Sequence, residues 1–114
     1  MPRRFVILEH DHPFLHWDLL LEEECNARTW RLLRKPCLGE LIAAEPLPDH
    51  RLMYLDYEGK VSGDRGTVKR VLAGTYEPMF DQTDVLTFAL TGNGFAESVR
   101  IRTLKDGRLF VSFA

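Results

Sequence analysis

Apolar residues in this chain come in short blocks separated by turn chemistry. Residues 5–8 (Phe-Val-Ile-Leu) are continuously apolar, with charge returning at Glu9 and a turn former at Pro13. An unbroken, partly β-branched run of that length predicts a buried strand over 5–10. Residues 15–22 (Leu-His-Trp-Asp-Leu-Leu-Leu-Glu) predict a second strand that ends near 23. Side chains alternate across a strand, so His16, Asp18, Leu20 and Glu22 share one face, and Trp17, Leu19 and Leu21 share the other. The latter set reads as a core face.

Asn26 closes a predicted hairpin into a third strand, 27–33, which Arg34-Lys35-Pro36 ends because proline cannot continue a ladder. Residues 38–45 (LGELIAAE) are the one segment of helical composition, and they predict a helix of at most two turns, weakened at its start by Gly39. Pro46, Pro48 and Asp49 predict an extended, turn-rich connection. It delivers His50 ahead of a strand over 52–57, with His50 and Tyr54 on one face. Residues 58–66 form a polar, glycine-bearing loop whose amides can build an anion-binding concavity, with Arg65 adding charge. Further strands are predicted at 67–76, where Gly74 marks a bend or bulge, and at 83–90, 95–104 and 108–113. Gly92-Asn93-Gly94 and Lys105-Asp106-Gly107 are the turns between the last three. About eight strands with short connections and one brief helix predict a mainly all-β fold, a small closed or nearly closed antiparallel β-barrel without exposed edges. An open sandwich is the alternative.

At 114 residues and 45% hydrophobic, the chain predicts one domain over 1–114 with a single core. A net charge of −2 excludes an overall basic excess, so any contact with nucleic acid must be local. Cys25 and Cys37 fit neither a CxxC pair nor a disulfide framework, which predicts free thiols in a reducing compartment. No apolar run approaches the roughly 18 residues that span a bilayer, and the brief run after Arg4 is no signal peptide. A soluble, cytoplasmic protein with no membrane partner is the expectation.

The chemistry concentrates in residues 10–22, HDHPFLHWDLLLE, with three histidines and several carboxylates. His16 and Asp18 stand side by side on one face, and His10 or His12 arrives across the turn at Pro13. Two imidazoles and one carboxylate suit a divalent transition metal such as manganese, zinc or iron and leave positions open for water or substrate. Glu22 faces the same way and can support those ligands from outside; the alternative for 22–24 is a solvated strand end. His50 and Tyr54 can line the same cavity, the alternative being a surface histidine beside a packed tyrosine.

Four ordered blocks resemble a known family, the 3′-phosphoesterase domain of bacterial DNA ligase D and its free-standing relatives. The family's Phe-Val-x-x-x-His strand and His-Tyr-Asp-x-Arg-Leu-Glu strand are matched by residues 5–10 and by His16-Trp17-Asp18-Leu19-Leu20-Leu21-Glu22. Its Ser-Trp and Lys-Gly-Pro resemble Thr29-Trp30 and Arg34-Lys35-Pro36. Its Glu-Asp-His-Pro-x-x-Tyr block resembles residues 48–54, and its Phe-Glu-Gly and Gly-Thr-Val resemble residues 57–59 and 66–68. The resemblance implies a small β-barrel and manganese-dependent repair of 3′ ends, removing a terminal ribonucleoside and then the 3′-phosphate. By matching positions, His10, His16 and Asp18 would hold the metal, and His50 and Tyr54 would contact the scissile phosphate.

Departures from the pattern define what else must be present. Leu20 stands where the family places a phosphate-gripping arginine, a basic position upstream of His50 is Ile42, and the loop between Gly59 and Gly66 is shorter. Arg51, Arg65 or Arg34 would then have to supply a guanidinium. The expected function is a metal-dependent phosphoesterase acting on 3′ ends of DNA or RNA, with a ligase or polymerase of an end-joining pathway as partner. The alternative is a non-catalytic, metal-containing module that binds nucleic-acid ends. A metal hydrolase or oxygenase of small molecules is a third class.

Overall fold

A computed structural model describes residues 3–114, apart from the side chain of Phe80. Strands β1 (Arg3–His10), β2 (His16–Glu22), β3 (Ala27–Leu32) and β4 (Ile42–His50) are followed by a 3₁₀ turn at Leu52–Leu55. Then come β5 (Gly59–Lys60), β6 (Thr67–Gln82), β7 (Val85–Thr91), β8 (Ser98–Thr103) and β9 (Leu109–Phe113). Neighbours pair in the order β1-β2-β3-β4-β9-β8-β7-β6, and β6 pairs back to β1, so eight antiparallel strands close a ring. The two-residue β5 adds to the end of β6. The expected closed β-barrel is the observed one.

Alternation explains the interior. Phe5 and Ile7 of β1 lie opposite Leu21 and Leu19 of β2, and all four point into the ring with Trp30, Leu32, Ile42, Val99, Ile101, Val111 and Phe113. Burying each such side chain contributes about 1.5–3 kcal/mol. The intervening residues Val6, Leu8 and Leu20 point outwards, yet they too are buried. They form a second, smaller cluster with Ala27, Leu55, Val61 and Val68, because the connection 51–66 folds back over the outer wall of β1 and β2. That covering is why 5–8 and 19–21 read as continuous apolar runs.

Four local expectations are corrected. Residues 38–45 contain no helix: Leu38 forms a parallel bridge to Phe113, Gly39 has φ +77°, and β4 starts at Ile42. Ile42 and Ala44 face the core with Ala43 between them, a period of two that a helix cannot satisfy. Pro46 and Pro48 lie within β4 because that strand pairs with β9 only over residues 42–44; beyond them it has β3 on one side, an edge that proline tolerates. Residues 52–57 are not a strand but the 3₁₀ turn, closed by Tyr54 N–H to the Arg51 carbonyl and Asp56 N–H to the Met53 carbonyl, both 3.1 Å. Gly74 marks a close approach rather than a bend: a Cβ there would overlap the Thr91 carbonyl and come within 2.8 Å of the Phe5 ring. The irregularity in the ladder lies instead between Ile7 and Leu8, opposite 70–72.

Candidate metal centre

β1 ends with His10 and β2 begins with His16, and these two residues are register partners. Two positions on along β2, Asp18 shares the outward face with them. One donor atom from each of His10, His16 and Asp18 lies within 4.8 Å of the others. His16 and Asp18 are 0% and 2% exposed. The centre is therefore on the outer wall of the barrel, roofed by residues 51–66, and not in the barrel's interior.

Backbone carbonyls fix the ring nitrogens. His16 donates from Nδ1 to the Phe14 carbonyl at 2.7 Å, His10 from Nε2 to the Arg65 carbonyl at 2.8 Å, and His50 from Nδ1 to the Pro48 carbonyl at 3.2 Å. A carbonyl only accepts, so in a neutral ring each opposite nitrogen keeps its lone pair. All three lone pairs face the Asp18 carboxylate: His16 Nε2 is 3.3 Å from Oδ1, and His10 Nδ1 and His50 Nε2 are 3.8 and 3.9 Å from Oδ2. His16 Nε2 and Asp18 Oδ1 are buried without any hydrogen-bond partner. Two acceptors set face to face in a dry site repel unless a proton or a metal cation lies between them. An imidazole that donates its far N–H to a carbonyl is also the usual form of a metal-bound histidine. The donor set thus fits a divalent metal.

Around the cluster is an open cavity of about 320 Å³, whose walls include His10, Asp18, His50, Arg51, Tyr54 and Arg65. Tyr54 and His50 meet with ring centroids 5.9 Å apart, edge to face. The expected pairing is present, but it comes from the end of β4 and the 3₁₀ turn rather than from one strand. Arg65 lies folded onto its own loop, donating from Nε to the Ser62 carbonyl at 2.7 Å and from a terminal nitrogen to Ser62 Oγ at 3.2 Å. Arg51 lines the mouth and is exposed. Arg34 lies elsewhere, donating to the Leu41 carbonyl at 2.8 Å.

Glu22 stands apart from the cluster. It accepts from the Arg4 backbone N–H at 2.9 Å and from the Arg4 guanidinium at 3.3 Å, and Arg4 also reaches Asp56. The Arg4 backbone hydrogen bond, followed by the guanidinium, holds the Glu22 carboxyl below its ordinary range. His12 is exposed, with its ring 6.4 Å from that of His10, and lies outside the donor set.

Sequence reasoning missed three contributors, Asp11, Arg31 and Phe14. Asp11 accepts from the Thr67 N–H at 2.7 Å, pinning the 61–66 loop beside His10. Arg31 is the register partner of Asp18, and its guanidinium stacks 5.3 Å from the ring of Phe14. Counting back evenly from the 23–26 hairpin would have placed Arg31 there.

A closed antiparallel barrel with an imidazole and carboxylate cluster on its wall defines a small all-β domain built around one polar centre. Residues 8–109 match the family described as DNA Ligase D 3'-phosphoesterase domain. The chain belongs to that family. It is also 30% identical over 99 residues to the Multifunctional non-homologous end joining protein LigD of Pseudomonas aeruginosa, covering 78% of this chain and 12% of that protein.

Proposed function

We propose that the protein is a metal-dependent phosphoesterase that processes 3′ ends of nucleic acid, removing a 3′-phosphate or a terminal ribonucleoside during DNA repair. The observation that carries this reading is the buried, unpartnered pair of His16 Nε2 and Asp18 Oδ1, with the His10 and His50 lone pairs converging on the same carboxylate. A divalent cation, manganese first among the candidates and zinc or another transition metal after it, would be held by His10, His16 and Asp18. When bound it supplies a Lewis acid for a phosphoryl oxygen and an acidified water. His50 and Tyr54 orient the phosphate from the cavity side, and Arg51 and Arg65 add positive charge at its walls. The family membership and the end-joining relative support a nucleic-acid 3′ end as substrate and a ligase or polymerase as working partner.

A second reading, a metal-containing module that binds ends without turnover, is favoured by Leu20. This residue is fully buried in the outer apolar cluster and gives the floor no charge beside Asp18. One experiment separates the two. Purified protein and its His16→Ala variant are incubated with manganese and a duplex carrying a recessed 3′-phosphate, and inorganic phosphate is measured. Release by the parent alone supports the phosphoesterase; no release, with manganese still raising the thermal midpoint, supports the binding module.

A further inference from the structure

We propose that Arg31 and Phe14 form a second phosphate subsite, on the β3 side of the cluster, which holds the phosphodiester next to the reacting phosphate. This rests on the phosphoesterase reading for its substrate class. Among the described residues, the buried side-chain polar atoms without a partner are His16 Nε2, Asp18 Oδ1 and Arg31 Nε. A cation accounts for the first two. The third is a permanently charged donor, and what it lacks is an anion. Asp18 and Arg31 face each other in the β2–β3 ladder, so the guanidinium rises from the same outer wall as the cluster, one strand spacing of about 5 Å away.

Carboxylates do not neutralise it. Asp18 across the ladder on β2 and Glu45 across the ladder on β4 are its register neighbours, and neither forms an ion pair with it among the described residues. Phe14 sets its position: the ring lies 5.3 Å from the Arg31 Cζ and 5.5 Å, edge to face, from the ring of His16. Phe14 is nonetheless 47% exposed, which leaves an aromatic surface open beside a free cation. That combination suits single-stranded nucleic acid, with a base against the ring and a backbone phosphate on the guanidinium. The cavity with His50 and Tyr54 also borders Asp18 and does not include Arg31. A strand running from that cavity past Asp18 would place one phosphate in the cavity and the next on the guanidinium.

The test is equilibrium binding of a fluorescent single-stranded oligonucleotide ending in a 3′-phosphate, and of a nucleoside 3′-monophosphate, over a range of salt. Parent, Arg31→Gln and Arg31→Lys are compared, with thermal midpoints recorded so that a misfolded variant is recognised. Arg31→Gln is expected to weaken oligonucleotide binding about tenfold and to reduce the slope of log Kd against log salt by about 0.7, the loss of one phosphate contact. Binding of the monophosphate should not change. Arg31→Lys should keep the slope while recovering only part of the affinity, because the fork geometry is lost. The proposal is overturned by an unchanged slope in Arg31→Gln, by equal losses for both ligands, or by a parent that does not bind the oligonucleotide. Phosphate release from the same oligonucleotide with manganese scores the phosphoesterase separately. Arg31-dependent binding without release would keep the subsite and remove that activity, and release with Arg31-independent binding would do the reverse.

Discussion

The ring of His10 is held by the backbone of Arg65, 55 residues further along the chain: Nε2 donates to that carbonyl at 2.8 Å, which turns Nδ1 towards Asp18. One hydrogen bond thus joins the roof to the cluster it covers, so binding of the proposed cation would be linked to roof order.

If that linkage holds, manganese will slow amide exchange across 61–66 in the parent, where the Val61 and Arg65 N–H groups bond to the Gly66 and Val61 carbonyls. In His10→Ala the protection by manganese should vanish. Equal protection in both proteins would mean that His10 does not couple the two.

Asp18→Asn should separate affinity from stability. Its amide can donate to His16 Nε2, so the opposed acceptors become a hydrogen bond and the metal-free protein should gain about 1 kcal/mol in urea unfolding. The same change removes a charged ligand. The parent should gain about 2.7 kcal/mol at manganese one hundred times its Kd, and the variant should gain far less at that concentration. A metal-free variant less stable than the parent would contradict the proposed opposition.

Two glycines offer a matched comparison. Gly39 and Gly66 both have φ +77°, so alanine at either costs about 1–2 kcal/mol of backbone strain. At Gly39 the added Cβ meets nothing, whereas at Gly66 it would overlap the Asp11 carboxylate and lie 2.7 Å from the His12 Cβ. Gly66→Ala should therefore lose manganese affinity, measured by calorimetry, and Gly39→Ala should not. Equal affinities would detach the loop from the cluster.

Acid should weaken the tie between Arg4 and Glu22. The folded-state pKa of Glu22 is lowered by the Arg4 hydrogen bonds, so its contribution is present above the unfolded carboxylate range and is lost as pH falls through the lowered value. The groups are partly exposed, which limits the effect to about 0.5 kcal/mol. The stability difference between parent and Glu22→Gln should be found at pH 7 and shrink towards pH 3. A difference independent of pH would rule out the ion pair as its source.

The strand pattern was legible wherever one physical constraint dominated. The faces of β2 followed from alternation alone, and so did the sharing of a face by His16 and Asp18. Residues 38–45 were misread because local composition favours a helix, while burial of Ile42 and Ala44 against β9, a partner far along the chain, decides for a strand. Tyr54 reached His50 by a turn that propensity does not announce. Arg31 stayed hidden for a different reason: its significance lies in the register opposite Asp18, and a charged residue on an exposed-looking face carries no mark of that in its own neighbourhood.

Because the polar centre sits on the outer wall, the inside of the ring and the reactive surface answer to different demands. The interior can be repacked by any residues that fill it, without moving a ligand by more than the strands themselves move. The segment 51–66 meets the opposite condition: it shares only a small apolar cluster with the wall and contributes one carbonyl and several side chains to the cavity. Changes in its length or sequence would alter what enters the cavity while leaving the barrel to fold as before. In the proposed phosphoesterase, substrate preference would follow the surface strap, and durability the cylinder beneath it.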